Sequence, residues 1–149
     1  MKKIKIQTRY KKMLSDVFTP VSIYLRLRDR FRDTILLEST DSHAAENSCS
    51  FIGINAIAGI EITNFKTVEF KFPGQKPEQQ TIRNVQDVPE TVWNFMQFFE
   101  TEHAKERAVK MAQGLFGYTS YDAVQFFEQI DLRSKQVQPE IPLMRYRLY

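Results

Sequence analysis

The sequence predicts an α+β fold, a mostly antiparallel β-sheet with helices packed on one side. Short apolar runs with two-residue alternation recur from end to end, as half-buried strands require. Two segments instead carry apolar residues at three- and four-residue spacings, the mark of amphipathic helices. A Pro-Gly turn joins two of the alternating runs as a hairpin would. Helices and strands that are not regularly interleaved belong to a mixed architecture.

Taken in order, Lys3 to Gln7 alternates Ile4 and Ile6 with polar residues and reads as a strand. Thr19-Pro20 opens a helix, Thr19 as N-cap and Pro20 at the first helical position. Ile23, Tyr24, Leu27 and Phe31 give it a buried stripe. Thr34 to Ser39 is a short strand built on Ile35, Leu36 and Leu37, and Thr40 to Ser48 is a polar loop without periodicity. Cys49 to Thr63 reads as one long strand, or two joined by a bend, because Gly53 and Gly59 interrupt it.

Thr67 to Phe72 alternates again, Pro73-Gly74 turns the chain, and Gln79 to Val85 returns as a partner strand. Asp87-Val88-Pro89-Glu90 opens the second helix, which carries Val92, Trp93, Phe95, Met96 and Phe99. Thr101 to Lys110 is charged and either prolongs that helix or forms a loop. Gly114 to Tyr118 is a strand, and Tyr121 to Ile130 a helix with Val124, Phe127 and Ile130 on its apolar side. From Ile141 to Tyr149 the chain re-enters an alternating pattern with no turn signal after it. A strand in that position is expected to lack pairing partners, so the expectation is a piece excised from a longer protein.

With 149 residues the chain is expected to form one domain, residues 1–149. Its 42% hydrophobic and 26% charged residues are the balance of a soluble globule. No run approaches the roughly 18 apolar residues of a membrane span, and no secretory signal follows the basic start. Cys49 is the single cysteine, which forbids an internal disulfide and fits a reducing cytoplasm. Residues 1–32 hold ten Lys or Arg against two acids, whereas the remainder holds eleven against sixteen. Arg26, Arg28, Arg30 and Arg32 read as a solvated helix face, so no nucleic-acid partner is expected.

Catalytic chemistry is hard to assemble. A hydrolase triad needs a base, and only His43 and His103 are available; both read as exposed and idle. Gly114-Leu115-Phe116-Gly117 lacks the third glycine of a dinucleotide loop and the Lys of a phosphate loop. Glu100, Glu102, His103 and Glu106 have ligand-like spacing, but Lys105, Arg107 and Lys110 among them fit a solvated helix end. No metal and no cofactor are expected within the chain.

Leu36-Leu37-Glu38-Ser39 is more specific. A carboxylate and a hydroxyl emerge there from an apolar strand beside the polar loop, facing the strand that starts at Ser50. Such a rim either caps the strand or receives a ligand, the carboxylate pairing with an ammonium group and Leu37 and Phe51 accepting a flat apolar side chain.

These segments, in order, resemble the N-terminal domain of component I of anthranilate synthase, a chorismate-utilising enzyme. Leu36-Leu37-Glu38-Ser39 is similar to that family's motif for the feedback inhibitor L-tryptophan. Ser50-Phe51-Ile52-Gly53 matches the end of its Arg-Tyr-Ser-Phe-Ile-Gly motif, with Ser48 and Cys49 standing where Arg and Tyr are usual. Gly114-Leu115-Phe116-Gly117-Tyr118 with Tyr121-Asp122 resembles a further, structural segment; Thr19-Pro20-Val21-Ser22 and Ile141-Pro142-Leu143 also fit. The resemblance covers essentially the whole chain.

It implies half of a two-domain sandwich, with an L-tryptophan site at Leu37, Glu38, Ser39, Ser50 and Phe51. It implies a C-terminal catalytic domain, absent here, that binds chorismate and Mg²⁺ and acts as a lyase. A glutamine amidotransferase subunit (component II) would supply ammonia, and the piece alone would be inactive. Component I of aminodeoxychorismate synthase is the nearest alternative, disfavoured by Glu38-Ser39; a free-standing amino-acid-binding module is another.

Overall fold

The computed structural model describes residues 3–14, 16–38, 49–102, 105–128, 130 and 141–149. In chain order the first elements are β1 (Ile4–Ile6), α1 (Pro20–Leu27), β2 (Ile35–Glu38), β3 (Ser50–Gly53) and β4 (Ala58–Asn64). There follow β5 (Thr67–Lys71), β6 (Glu78–Thr81), α2 (Val88–Gln97) and β7 (Phe99–Thr101). Last come α3 (Arg107–Ala112), β8 (Phe116–Thr119), a 3₁₀ turn at Tyr121–Phe126 and β9 (Met144–Leu148). They form two compact units, one of Met1–Tyr10 with Ile57–Leu148, the other of Lys11–Ala56 with Tyr149.

The larger unit is built on a five-stranded antiparallel sheet in the order β6-β5-β4-β9-β8. Register puts Ala58, Ile60 and Ile62 of β4 beside Leu148, Tyr146 and Met144 of β9. Paired residues of an antiparallel ladder share a face, so this side of the sheet is apolar. α2 covers it with Val88 and Phe95, and the 3₁₀ turn adds Ala123 and Phe126, all buried in one cluster. Phe95 lies at the centre of an aromatic group, its ring 5.2 Å from that of Phe99 and 5.4 Å from that of Phe72. This is the α+β arrangement the sequence predicts.

The other face of the sheet is charged. Glu61 of β4 accepts hydrogen bonds from Arg145 Nε at 2.8 Å and Arg147 Nη2 at 2.7 Å, both on its Oε2. Arg147 lies flat across Gly59, where a Cβ would meet its Cδ at 2.6 Å. Gly59 is therefore a seat for a side chain, the close approach that glycine within a strand often marks.

Several local expectations hold. Thr19 caps α1 by accepting from the Ser22 N–H at 3.2 Å, with Pro20 opening the helix. Gly74 takes φ +71° in the turn between β5 and β6, closed by the Gln75 N–H to the Phe72 carbonyl at 3.1 Å. The bend before β4 falls at Asn55, with φ +53°, so β3 and β4 are two strands.

Other expectations are corrected. β7 follows α2 at once and pairs parallel with β1, Ile4 beside Phe99, so Phe99, expected on the helix, belongs to a strand; of Thr101 to Lys110 only Thr101 joins that strand, and Arg107 opens α3. Tyr121 to Ile130 is not an α-helix. Its 3₁₀ turn repeats every three residues, which brings Ala123 and Phe126 inward and leaves Phe127 and Ile130 exposed. Trp93 does not join the buried set and is 59% exposed. Five residues past Val88 it is turned about 140° round the helix, while Phe95 returns to the buried side. β9 does not lack partners: β4 and β8 pair with it on either side.

The smaller unit contains α1 and the β2–β3 hairpin, with the helix lying against both strands. Ile23, Tyr24 and Leu27 are half-buried on it, Phe31 is exposed, and α1 has no fully buried residue. The Asn55 N–H donates to the Arg32 carbonyl at 2.8 Å and the Arg32 N–H to Asn55 Oδ1 at 3.3 Å. This reciprocal pair joins the backbone ahead of β2 to the backbone beyond β3.

Candidate functional site

The hairpin brings the predicted site residues into register. Leu37 stands opposite Phe51, and Glu38 opposite Ser50. The order follows from sequence: Ile35, Leu36 and Leu37 are β-favouring or apolar, and Ser50-Phe51-Ile52-Gly53 gives β2 a strand of equal length to pair with. Because side chains alternate along a strand, Leu37 and Phe51 lie on one face and Glu38 and Ser50 on the other. The apolar pair is half-buried, and the polar pair is exposed at the end of the ladder where the chain leaves β2 and returns as β3. Ser39, the fifth predicted residue, lies outside the described residues, as does Ser48. Cys49 is a free thiol, half-buried, just before the hairpin's second strand.

The face bearing Leu37 and Phe51 continues to Ile35 and Gly53, the next pair along. Gly53 is buried, and the ring of Tyr149 occupies the place a Cβ would take. Such a Cβ would stand 2.7 Å from Cε1 and Cζ of that ring. Sequence reasoning missed Tyr149. The only signal was a glycine inside an apolar strand, which marks close approach without naming what approaches.

Chemically the hairpin offers recognition. A carboxylate and a hydroxyl face each other across one end, able to accept from an ammonium group. Apolar and aromatic surface lies on the reverse side. Neither face carries a base paired with a nucleophile in the way covalent catalysis requires. Both histidines, His43 and His103, lie outside the described residues. Among the described residues no three His, Cys, Asp or Glu stand together where they could hold a metal ion.

A separate apolar groove of about 320 Å³ opens in the larger unit, lined by Pro89, Val92, Met96, Leu115, Phe127 and Tyr146 among others. The Tyr146 hydroxyl shares a hydrogen bond with Thr119 Oγ1 at 2.5 Å. None of the predicted site residues lines this groove. No helix among the described residues is long and apolar enough to cross a membrane.

Comparison with known proteins gives one finding. The chain is 28% identical over 140 residues to anthranilate synthase component 1 of Aquifex aeolicus (strain VF5), a match covering 94% of this chain and 26% of that protein. The chain thus spans about a quarter of the length of this relative. No family model matches it, and no solved structure does.

Proposed function

We propose that this chain is the regulatory, L-tryptophan-sensing portion of an anthranilate synthase component I. The observation that supports this reading is similarity running through 140 residues, nearly the whole chain, to a protein of that name about four times as long. The described parts of the two motifs, Leu36–Glu38 and Ser50–Gly53, fall on the two paired strands of one hairpin, which is consistent with this reading.

In this reading the larger polypeptide converts chorismate to anthranilate in the cytoplasm, through a catalytic domain distinct from these residues. The Mg²⁺ of that reaction would be held by the catalytic domain, and no chemical step is assigned to these residues. A glutamine amidotransferase subunit supplies ammonia. What these residues do is bind and orient the inhibitor. Leu37 and Phe51 contact its indole on one face of the hairpin, and Glu38 and Ser50, the last pair of the ladder, meet its ammonium group and polar end from round that end of the strands; the motif assigns Ser39 to the same polar end. Inhibition then follows from unequal affinity of tryptophan for active and inactive arrangements of the polypeptide, since a ligand shifts an equilibrium only by that difference.

The test is to express the natural reading frame that contains this chain and supply chorismate with ammonia. Fluorescent anthranilate is expected, and added L-tryptophan should suppress it. Absence of anthranilate would end the proposal. The 149-residue chain alone is expected to bind L-tryptophan weakly or undetectably by titration calorimetry, because other parts of the polypeptide complete the pocket. Tight binding by the chain alone would favour a free-standing amino-acid-binding module.

A further inference from the structure

Beyond the predicted residues, the hairpin carries one aromatic group that the motifs do not include. Gly53 pairs with Ile35, and Phe51 pairs with Leu37. Residues two apart on a strand share a face, as do residues paired across an antiparallel ladder. The missing side chain of Gly53 therefore points to the face that bears Leu37 and Phe51. The Tyr149 ring fills that place at 2.7 Å from an ideal Cβ position. Two residues of strand separate Gly53 from Phe51, about 7 Å, within reach of a second aromatic ring. Tyr149 and Phe51 are both half-buried, so each retains surface for contact.

We infer that Tyr149 is a wall of the amino-acid pocket and sets its preference for a flat aromatic side chain. Gly53 serves this role by having no side chain, which lets the ring lie down on the backbone of β3. The indole of the ligand packs on the surface that Phe51 and Tyr149 present together. Aromatic groups in offset or edge contact gain more than their buried area alone provides. This inference rests on the tryptophan-sensing reading and names a residue for that same site.

The experiment uses the polypeptide of the natural reading frame, making anthranilate from chorismate and ammonia. Wild type is compared with Tyr149→Leu, Tyr149→Phe and Glu38→Gln for the L-tryptophan concentration that halves the rate. Tyr149→Leu is expected to raise it about threefold to tenfold, the scale of one aromatic contact. Tyr149→Phe keeps the ring, and its half-inhibiting concentration should stay near that of wild type. If Tyr149→Leu leaves the half-inhibiting concentration unchanged while Glu38→Gln raises it, the pocket stands and the Tyr149 assignment falls. If wild type makes no anthranilate, or makes it without inhibition, both fall.

A second measurement does not depend on how well the leucine variant folds. In a deuterated protein with only its tyrosines protonated, saturation of the tyrosine ring protons should transfer to the indole protons of bound L-tryptophan. Tyr149→Phe should remove that transfer while inhibition persists. Transfer that survives this substitution, or is absent from wild type while tryptophan inhibits, overturns the inference.

Discussion

Gly53 and Tyr149 form a pair in which one residue's lack of a side chain is the other's seat. A methyl group at Gly53 must push the ring away, because 2.7 Å is closer than real Cβ contacts come. Gly53→Ala is expected to cost about 1–3 kcal/mol, the usual range for overpacking. In a Tyr149→Ala background the same change should cost close to nothing, since the obstacle is gone. Chemical denaturation of the four proteins of this cycle measures the coupling. Equal penalties in both backgrounds would mean that the ring does not rest on Gly53. Phe95 is a contrasting case. It is 1% exposed among Phe70, Phe72 and Phe99, and Phe95→Ala should cost about 3–5 kcal/mol by the same measurement.

Among elements, β9 carries the most. It pairs with β4 and β8, supplies Met144 and Leu148 to the core, and gives Arg145 and Arg147 to Glu61 on the reverse face. Its contact with β8 depends on Gly117, where a Cβ would collide with the carbonyl of Arg145. That obstacle is backbone and cannot swing aside. Gly117→Ala is therefore expected to break the β8–β9 ladder, seen as faster amide exchange at Phe116–Thr119 than in wild type. Glu61→Ala should lower stability by about 2–3 kcal/mol, because hydrogen bonds to charged groups are the stronger kind and both arginines lose this acceptor. Denaturant midpoints would show it.

How far the elements were legible follows from what forms each of them. α1 was legible because a Thr-Pro start acts within one turn, and the β5–β6 turn because Pro73 fixes its own φ and Gly74 accepts the positive φ a turn needs. The apolar alternation of Ile4 and Ile6 announced β1. Its partner, the parallel strand at Phe99–Thr101, was hidden because Phe99 also continued the helical spacing of α2. The 3₁₀ turn at Tyr121–Phe126 was read as an α-helix since the three-residue spacing of Val124, Phe127 and Ile130 fits both. At the candidate site, the sequence singled out two segments, and the structure pairs them as β2 and β3, Leu37 with Phe51 and Glu38 with Ser50. Tyr149 was invisible because its contact with Gly53 joins residues far apart in sequence and leaves no periodic trace.

For the molecule as a whole, the two units differ in how firmly they are held. Ala58, Ile60, Ile62, Phe95 and Phe126 are nearly inaccessible in the larger one, whereas in the smaller the described buried residues are Gly53 and Ala56. A two-stranded hairpin is marginal without further apolar cover. Native-state hydrogen exchange should find the slowest amides in β4, β5 and β9, with β2 and β3 opening at lower free energy. Uniform protection across both units would contradict this. A sensing element drawn from the less stable part of a fold is a common arrangement, since segments that respond to ligands must move. In the proposed reading, the hairpin of the smaller unit would be the segment that responds.

The parallel contact of Ile4 with Phe99 also governs the order of events during synthesis. β1 leaves the ribosome well before the strand it pairs with, which lies about 95 residues further along the chain. At about 5–20 residues per second the delay is roughly 5–20 s, far longer than a hairpin takes to close. Throughout that interval Ile4 and Ile6 are sticky surface on a nascent chain, the kind of surface that chaperones at the exit tunnel hold. β8 and β9 are made later still, so the partner of β1 emerges before the five-stranded sheet can be completed, and the β4–β5 hairpin is the part of the larger unit that can close first.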